Sequence, residues 1–141
     1  MNLKQLNVEI VTPHGPLFAG KATAVQLQTR LGQVEIGPDH ESIIMALDIG
    51  HGAVFTHDGV ERFAMNVGYV EVLDNHVEIM METAEMVSDV DTERSEESVR
   101  IAKERLEKLD FAEDRARVDR AKDKLRRAEA RLALVSKFGS D

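Results

Sequence analysis

Two pairs of charged residues in the second half of the chain have side-chain types and spacings that could form a ligand-binding site. Asp91 precedes Arg94 by three residues, and Arg127 precedes Arg131 by four. Residues four apart share one face of a helix, so the two guanidinium groups can grip the oxygens of one phosphate. The same spacing is typical of ordinary helices, in which Asp91 caps a first turn, Arg94 joins an ion pair and the arginines flank a solvated face. Spacing alone favours this second interpretation.

The elements that would carry these residues are helices. No Gly or Pro occurs between Asp91 and Lys137, and residues 88–91 supply short oxygen side chains suited to a helix start. Apolar residues then recur at spacings of three and four, with a break near residues 109–111. A heptad seam is predicted in the second helix, formed by Val118, Ala121, Leu125, Ala128, Leu132 and Val135. Two such helices joined by a short turn predict an antiparallel hairpin.

The predicted seam alternates Ala with larger residues, so each layer of the hairpin buries little apolar area. A hairpin of this kind can detach from the body of the protein or open. The alternative is a fixed hairpin that permanently covers one face of a sheet.

The first part of the chain predicts a β module. Leu6, Val8 and Ile10 alternate with polar residues, which is typical of a half-buried strand, and similar short runs follow. Turn signals recur every 8–12 residues, as in antiparallel sandwiches and flattened barrels. The predicted class is therefore α+β, with an N-terminal antiparallel β-sandwich over residues 1–87 and a helical hairpin over residues 88–141.

Composition and charge limit the kinds of chemistry and of binding partner that the chain can have. The chain of 141 residues has a net charge of −8 and no Cys, which excludes disulfide and thiolate chemistry. The acidic charge lies in the first part, which argues against nucleic acid as its partner, whereas cations outnumber acids in the second helix. That helix is expected to meet an acidic partner, or simply to have a solvated surface rich in both signs.

No catalytic centre is indicated. The five histidines occur singly in segments interpreted as loops or turns, without the paired spacing of a metal site. The glycines at residues 32 and 37 are not followed by the Lys of a phosphate-binding loop, and no nucleophile motif accompanies the serines. An enzyme is the least favoured class, and no metal or required cofactor is predicted.

Four segments together resemble the epsilon subunit of bacterial F-type ATP synthase. Residues 11–16 (V-T-P-H-G-P) resemble the family's V-T-P-D-G-P, and residues 32–40 (G-Q-V-E-I-G-P-D-H) its G-E-L-G-I-L-P-G-H. Residues 64–72 (A-M-N-V-G-Y-V-E-V) resemble A-V-S-G-G-F-L-E-V, and residues 83–85 (T-A-E) enter the helices as the family's A-A-E does. The resemblance covers nearly the whole chain.

The resemblance implies a non-catalytic rotor subunit of the central stalk, peripheral to the cytoplasmic face of a bacterial cell membrane. The sandwich would join the gamma subunit to the c ring, and the hairpin would switch between a folded form and an extended form that blocks ATP hydrolysis. Two alternatives of other classes remain. One is a free-standing ATP-sensing module, and the other is a coiled-coil adaptor whose hairpin pairs with another protein's helix.

The resemblance also implies three sets of site residues. Residues 90–95 (V-D-T-E-R-S) are similar to an I/L-D-x-x-R-A motif through which some epsilon subunits bind ATP as a regulatory ligand. The candidate nucleotide site is Glu85, Val90, Asp91, Arg94, Arg127 and Arg131. The candidate c-ring contact loop is Gln33, Glu35, Pro38 and His40. The candidate inhibitory residues, which would face an acidic loop of a catalytic beta subunit when the arm is extended, are Arg115, Arg117, Arg120, Lys122, Lys124, Arg126 and Arg127.

Overall fold

The structure, a computed structural model, describes residues 4–139, so residues 1–3 and 140–141 of the predicted domains lie outside it. The strands are β1 Leu6–Thr12, β2 Gly15–Ala22, β3 Ala24–Thr29, β4 Gly32–Ile36, β5 Ile43–Leu47, β6 Gly50–Thr56, β7 Gly59–Met65, β8 Gly68–Leu73, β9 His76–Met81 and β10 Ala84–Met86. A single 3₁₀ turn, Val87–Asp89, leads to the helices α1 Thr92–Lys108 and α2 Arg115–Phe138.

The strands form two five-stranded sheets that face each other. Sheet I has the order β2-β1-β9-β8-β5, and sheet II has the order β10-β7-β6-β3-β4. The α+β sandwich followed by two helices is confirmed, although the sheets stay open and do not close into a barrel. One pair departs from the antiparallel pattern, because β1 pairs with β9 in parallel. Alternation of side chains does not reveal strand direction, so the sequence could not indicate this pair.

The core lies between the sheets and follows the predicted alternation. Leu6, Val8 and Ile10 on β1 are at most 1% exposed. Phe63 of β7 and Leu27 of β3 are fully buried from the opposite sheet. Burial of large apolar side chains stabilises each by about 1.5–3 kcal/mol relative to exposure, so this interior holds the two sheets together.

The hairpin turns share a motif that the sequence analysis missed. At three turns a Thr hydroxyl donates a hydrogen bond to the backbone carbonyl of the Gly three residues later. The same hydroxyl accepts a hydrogen bond from the backbone N–H of the residue two positions after the Thr. The Thr–Gly pairs are Thr12–Gly15, Thr29–Gly32 and Thr56–Gly59. Each Gly has a φ between +122° and +138°, a region that L residues with a Cβ rarely adopt. The repeated T-x-x-G spacing was the available signal.

Two strands lie where the sequence predicted none. The predicted break at residues 12–16 is reduced to a turn at Pro13 and His14, and β2 begins at Gly15 on the edge of sheet I. Pro16 has no N–H to donate, which is tolerated on an edge strand beside the register shift between Ile10 and Val11. At the other end, residues 84–86 form β10, which pairs with β7. The chain therefore leaves the sandwich after Met86 and does not enter the helices at residues 83–85.

The helical hairpin packs on sheet II. α1 and α2 lie along each other, and α2 also contacts β6 and β7. The predicted seam is only partly right, because Leu134 is fully buried whereas Leu132 and Val135 are half-buried. A single heptad stripe describes one contact, but α2 packs on both α1 and the sheet. Val118, Ala121 and Ala128 are buried as predicted.

Candidate functional site

A cleft of about 560 Å³ lies where the end of the sandwich meets both helices. Four of the predicted nucleotide-site residues line it together, namely Glu85, Asp91, Arg94 and Arg131. They come from three elements, since Glu85 lies on β10, Asp91 and Arg94 begin α1, and Arg131 lies on α2. The hairpin must therefore be folded on the sandwich for this cleft to exist.

Asp91 is the N-cap of α1. Its Oδ1 accepts the backbone N–H of Arg94 at 3.0 Å, and the hydroxyl of the buried Ser95 donates to its carbonyl at 2.9 Å. The capping interpretation is thus confirmed, and it orients the start of α1 toward the cleft. Val90, the residue before the cap, is half-buried and does not line the cleft.

The two arginines of α2 that belong to the candidate nucleotide site lie in different places. Arg131 donates from Nε to Oε1 of Glu85 at 2.9 Å. Arg127 does not line the main cleft; it lines an adjacent small recess together with Glu85 and Arg131. A phosphate held by both guanidinium groups would therefore sit at the edge between cleft and recess, with the Glu85 carboxylate as its competitor.

Both signs of charge surround the cleft. Asp89 and Glu97 add carboxylates, and Lys124 adds a cation that the sequence analysis had placed only in the basic helix. A hydrogen bond from Arg100 is the main cause that lowers the pKa of Glu97, and Arg100 also pairs with Glu104. Within residues 4–139 the side chain of Arg94 makes no ion pair. Arg94 and Lys124 are thus the cations that remain available to an anionic ligand.

A second contact between arm and sandwich is an ion pair that the sequence did not indicate. Arg126 of α2 donates to Asp48, which follows β5, at 3.0 Å. Burial opposes ionisation of Asp48, but the N–H of Ile49 and the Arg126 guanidinium outweigh it and lower the pKa of this carboxyl. The residues are 78 positions apart, so no local pattern could reveal the pair.

The third contact is a cation–aromatic cluster at the end of α2. The Arg62 guanidinium lies 3.6 Å from the ring centroid of Phe138, and the His51 ring meets that ring edge-on at 5.8 Å. Burial first, then the positive charges of Lys137 and Arg62, lower the pKa of His51. His51 lies on β6 and His76 on β9, so the interpretation of all histidines as loop or turn residues was wrong for these two.

The predicted c-ring residues occupy two kinds of structure. Gln33 and Glu35 lie on the exposed side of the edge strand β4, whereas Pro38 and His40 lie in the connection to β5. Leu31, at the tip of the β3–β4 hairpin, is fully exposed. The part of the chain that the structure describes does not bring these residues into one cleft, and their contact role stays a prediction.

The predicted inhibitory residues also divide. Four lie exposed on the first turns of α2, namely Arg115, Arg117, Arg120 and Lys122. The other three, Lys124, Arg126 and Arg127, lie in the cleft, in the Asp48 ion pair and in the adjacent recess. In this folded arrangement, the basic helix therefore turns part of its charge toward the sandwich.

Residues 4–139 contain no group of three His, Cys, Asp or Glu arranged to hold a metal ion. Neither of the helices in that range is long and apolar enough to cross a membrane.

Comparison with known proteins identifies the family. Residues 5–87 match the family profile described as "ATP synthase, Delta/Epsilon chain, beta-sandwich domain". The ATP synthase epsilon chain of Staphylococcus aureus strain JH9 is 35% identical over 135 residues, covering 94% of this chain and 98% of the relative. The chain belongs to the ATP synthase epsilon-chain family. Its members are non-catalytic subunits of the central stalk, so the predicted family and class of function are confirmed.

Solved structures share the fold at low sequence identity. A chain of the Euglena gracilis mitochondrial ATP synthase, solved as OSCP, F1 and c ring, matches with a TM-score of 0.81 at 19% identity. That match covers 96% of this chain and 84% of the other. A chain of the Tetrahymena thermophila mitochondrial ATP synthase central stalk and c ring matches with a TM-score of 0.60 at 14% identity, covering 99% and 100%. These likenesses show that the overall fold of this chain is shared with chains of solved ATP synthases.

Proposed function

We propose that this epsilon-type chain joins a gamma subunit to a c ring through its sandwich, and that its hairpin is a movable arm that inhibits ATP hydrolysis when extended. The observation that carries the proposal is how the arm is held. α2 packs on β6 and β7, and its position there is fixed by separate polar contacts, the Glu85–Arg131 and Asp48–Arg126 ion pairs and the Phe138 cluster. Partly exposed ion pairs contribute about 0–1 kcal/mol each, so a partner can displace them.

The charge of α2 supports the inhibitory role. In the folded arm Arg126 is occupied by Asp48, while Arg115, Arg117, Arg120 and Lys122 face solvent. Extension would free Arg126 and align the whole basic set for an acidic surface, the chemistry expected of the beta subunit in the family. The folded arrangement is then the one that permits hydrolysis.

The experiment is ATP hydrolysis by the reconstituted complex. Replacing Arg115, Arg117, Arg120 and Lys122 by Gln is expected to relieve inhibition because an extended arm loses its attraction for the acidic partner. Arg100, Lys103, Arg105 and Lys108 of α1, replaced by Gln, remove the same four charges and are the control for general charge loss. Suppressed activity in the first variant would contradict the charge-based brake.

We propose further that ATP is a regulatory ligand of the cleft and holds the arm folded. Arg94 is available there, Arg131 and Lys124 add positive charge, and the cleft requires the folded hairpin. A ligand that binds only the folded form shifts the population toward it. Calorimetric titration with ATP should show saturable binding, which Arg94→Ala should lose.

A capping variant separates the two roles of the helix start. Ser caps a helix about as well as Asp, so Asp91→Ser should keep α1 stable while removing the carboxylate that would accept a hydrogen bond from the adenine amino group of ATP. Reduced ATP affinity with an unchanged melting temperature would support a ligand role for Asp91. No binding to the unmodified chain at millimolar ATP would contradict the nucleotide proposal, and the arm would then respond to partners alone.

The complex would hold this chain at the cytoplasmic face of a bacterial cell membrane. The contacts there would be with the gamma subunit and the c ring, without direct insertion into lipid. Fractionation of intact membranes, followed by release of the chain on removal of the catalytic head, tests this location.

A further inference from the structure

A second groove of the arm, here named the tip groove, lies between the two helices near the turn that joins them. Its volume is about 370 Å³. Each helix lines it with two exposed cations, namely Arg105 and Lys108 of α1 and Arg117 and Arg120 of α2. Leu109 and the small, buried Ala121 complete the lining. The tip groove is thus separate from the candidate nucleotide cleft.

The charge of the tip groove differs from that of the cleft. Four carboxylates line the cleft beside its cations, whereas within the described residues the tip groove is lined by four cations and no carboxylate. In residues 4–139 none of these four cations makes an ion pair. The tip groove therefore concentrates positive charge without a counter-charge of its own.

Part of this arrangement opposes the stability of the isolated arm. On each helix the two cations are three residues apart, which makes them neighbours on the helix surface, and like charges there repel each other. The helix dipole favours the two cations in the last turn of α1. It opposes Arg117, which lies in the first turn of α2, and no acidic side chain lies in that turn. A bound anion would remove both unfavourable effects.

The number and spacing of the cations indicate the kind of anion. A phosphate group carries about 1.5–2 negative charges at pH 7, so two linked groups balance the four cations of the groove. Guanidinium groups bind phosphate oxygens through paired N–H donors. Residues three apart are displaced by about 4.5 Å along a helix, so each wall can contact two linked phosphates in turn.

We propose that the tip groove binds a diphosphate anion that bridges α1 and α2. The anion could be free pyrophosphate or the diphosphate of ADP. The side chains of Leu109 and Ala121 offer a nucleobase neither a hydrogen-bond donor nor an aromatic face, which favours the free anion. Arg117 and Arg120 also belong to the residues assigned to inhibition, so the bound anion neutralises part of the charge that meets the acidic partner. This consequence rests on the proposed function, whereas binding itself does not.

Calorimetric titration of the full-length chain with pyrophosphate tests the site, at about 0.15 M salt so that diffuse attraction between exposed charges is screened. We expect a single saturable site. Arg105→Gln with Arg120→Gln, the groove variant, removes one cation from each wall and should bind about tenfold more weakly or worse. Lys103→Gln with Lys137→Gln is the control, because it removes the same charge from exposed positions of the same helices outside the groove. The control should bind as the unmodified chain does.

Thermal unfolding followed by circular dichroism provides a second measurement. Pyrophosphate should raise the melting temperature of the unmodified chain and of the control, because a ligand that binds only the folded hairpin stabilises it. The groove variant should show no such rise. Without pyrophosphate it should melt no lower than the control, since it has lost charges that repel one another.

Two further titrations assign the anion to its place and its source. Arg94→Ala changes the candidate nucleotide cleft, so this variant should still bind pyrophosphate. Displacement of pyrophosphate from Arg94→Ala by ADP at equal affinity would support the diphosphate of a nucleotide as the ligand of the groove. Weaker displacement would support free pyrophosphate.

Three results would overturn the proposal. The first is the absence of saturable pyrophosphate binding by the unmodified chain, and the second is equal binding by the groove variant and the control. The third is binding that Arg94→Ala loses and the groove variant keeps, which would assign the anion to the cleft. The inhibitory role of the arm is judged by ATP hydrolysis of the reconstituted complex, so its failure is distinguishable from all three.

Discussion

Arg131 of α2 donates from Nε to Oε1 of Glu85 on β10 over 2.9 Å, and this pair joins the arm to the last strand of the sandwich. Both residues belong to the candidate nucleotide site. The pair therefore occupies the guanidinium that an ATP phosphate would need, and it orients that guanidinium toward the cleft. The Glu85–Arg131 contact is therefore expected to affect both the position of the arm and the binding of ATP.

Arg131→Ala should weaken ATP binding by about tenfold or more, because a hydrogen bond to a charged group contributes about 1.5–3 kcal/mol. Glu85→Gln should leave saturable ATP binding in place, since Glu85 positions Arg131 and Gln can still accept its N–H. Calorimetric titration of both variants checks this. Loss of binding in Glu85→Gln as complete as in Arg131→Ala would instead make the carboxylate an indispensable ligand.

The location of this site could be predicted in part from the sequence. Asp91 and Arg94 lie within one helical turn of each other, so a local pattern indicated both the cap and the arginine beside it. The pairing of Arg131 with Glu85 links residues 46 positions apart. That contact depends on how α2 lies on sheet II, which no local pattern specifies.

Docking of the arm should depend on pH through His51. Burial and the nearby positive charges of Lys137 and Arg62 lower its pKa from the ordinary value of 6.5. The folded protein then binds fewer protons at His51 than the unfolded chain does. The contribution of His51 to stability is therefore fully present above pH 6.5 and is lost as the pH falls from there through the lower pKa of the folded state. An imidazolium would also lie close to the Arg62 guanidinium that stacks on Phe138.

Thermal unfolding at pH 7.5 and 5.5 measures the effect (about one unit on either side of an unperturbed histidine pKa). His51→Gln should lose part of the acid-dependent drop in melting temperature. His57→Gln, in the exposed β6–β7 turn, is the matched control and should keep it. Equal pH dependence in the unmodified chain and in His51→Gln would show that His51 does not carry the effect.

Near the C-terminal end of α2, the buried side chain should be Leu134 rather than the seam residues Leu132 and Val135. Leu134→Ala should cost about 2–5 kcal/mol of unfolding free energy because the side chain is fully buried. Leu132→Ala, at the half-buried seam position, should cost less. Urea unfolding followed by circular dichroism compares the two, and a larger loss for Leu132 would restore the simple seam.

Strand patterns illustrate the same division between local and tertiary information. Leu6, Val8 and Ile10 face the core as their alternation predicted, because a strand turns every second side chain to the same face. The parallel pairing of β1 with β9 was not predictable, because side-chain alternation is the same for either strand direction. Residue patterns alone predicted a sandwich followed by a hairpin, and the resemblance added the family and its expected partners.

The central claim is that the arm moves, and a reversible tether tests it most directly. The chain has no Cys, so His51→Cys with Phe138→Cys offers a single pair for a short, cleavable bismaleimide that holds the end of α2 on β6. We expect the reconstituted complex to hydrolyse ATP without inhibition while the tether is intact, and to become inhibited once the tether is cleaved. Equal inhibition in the tethered and cleaved complexes would contradict the movable arm.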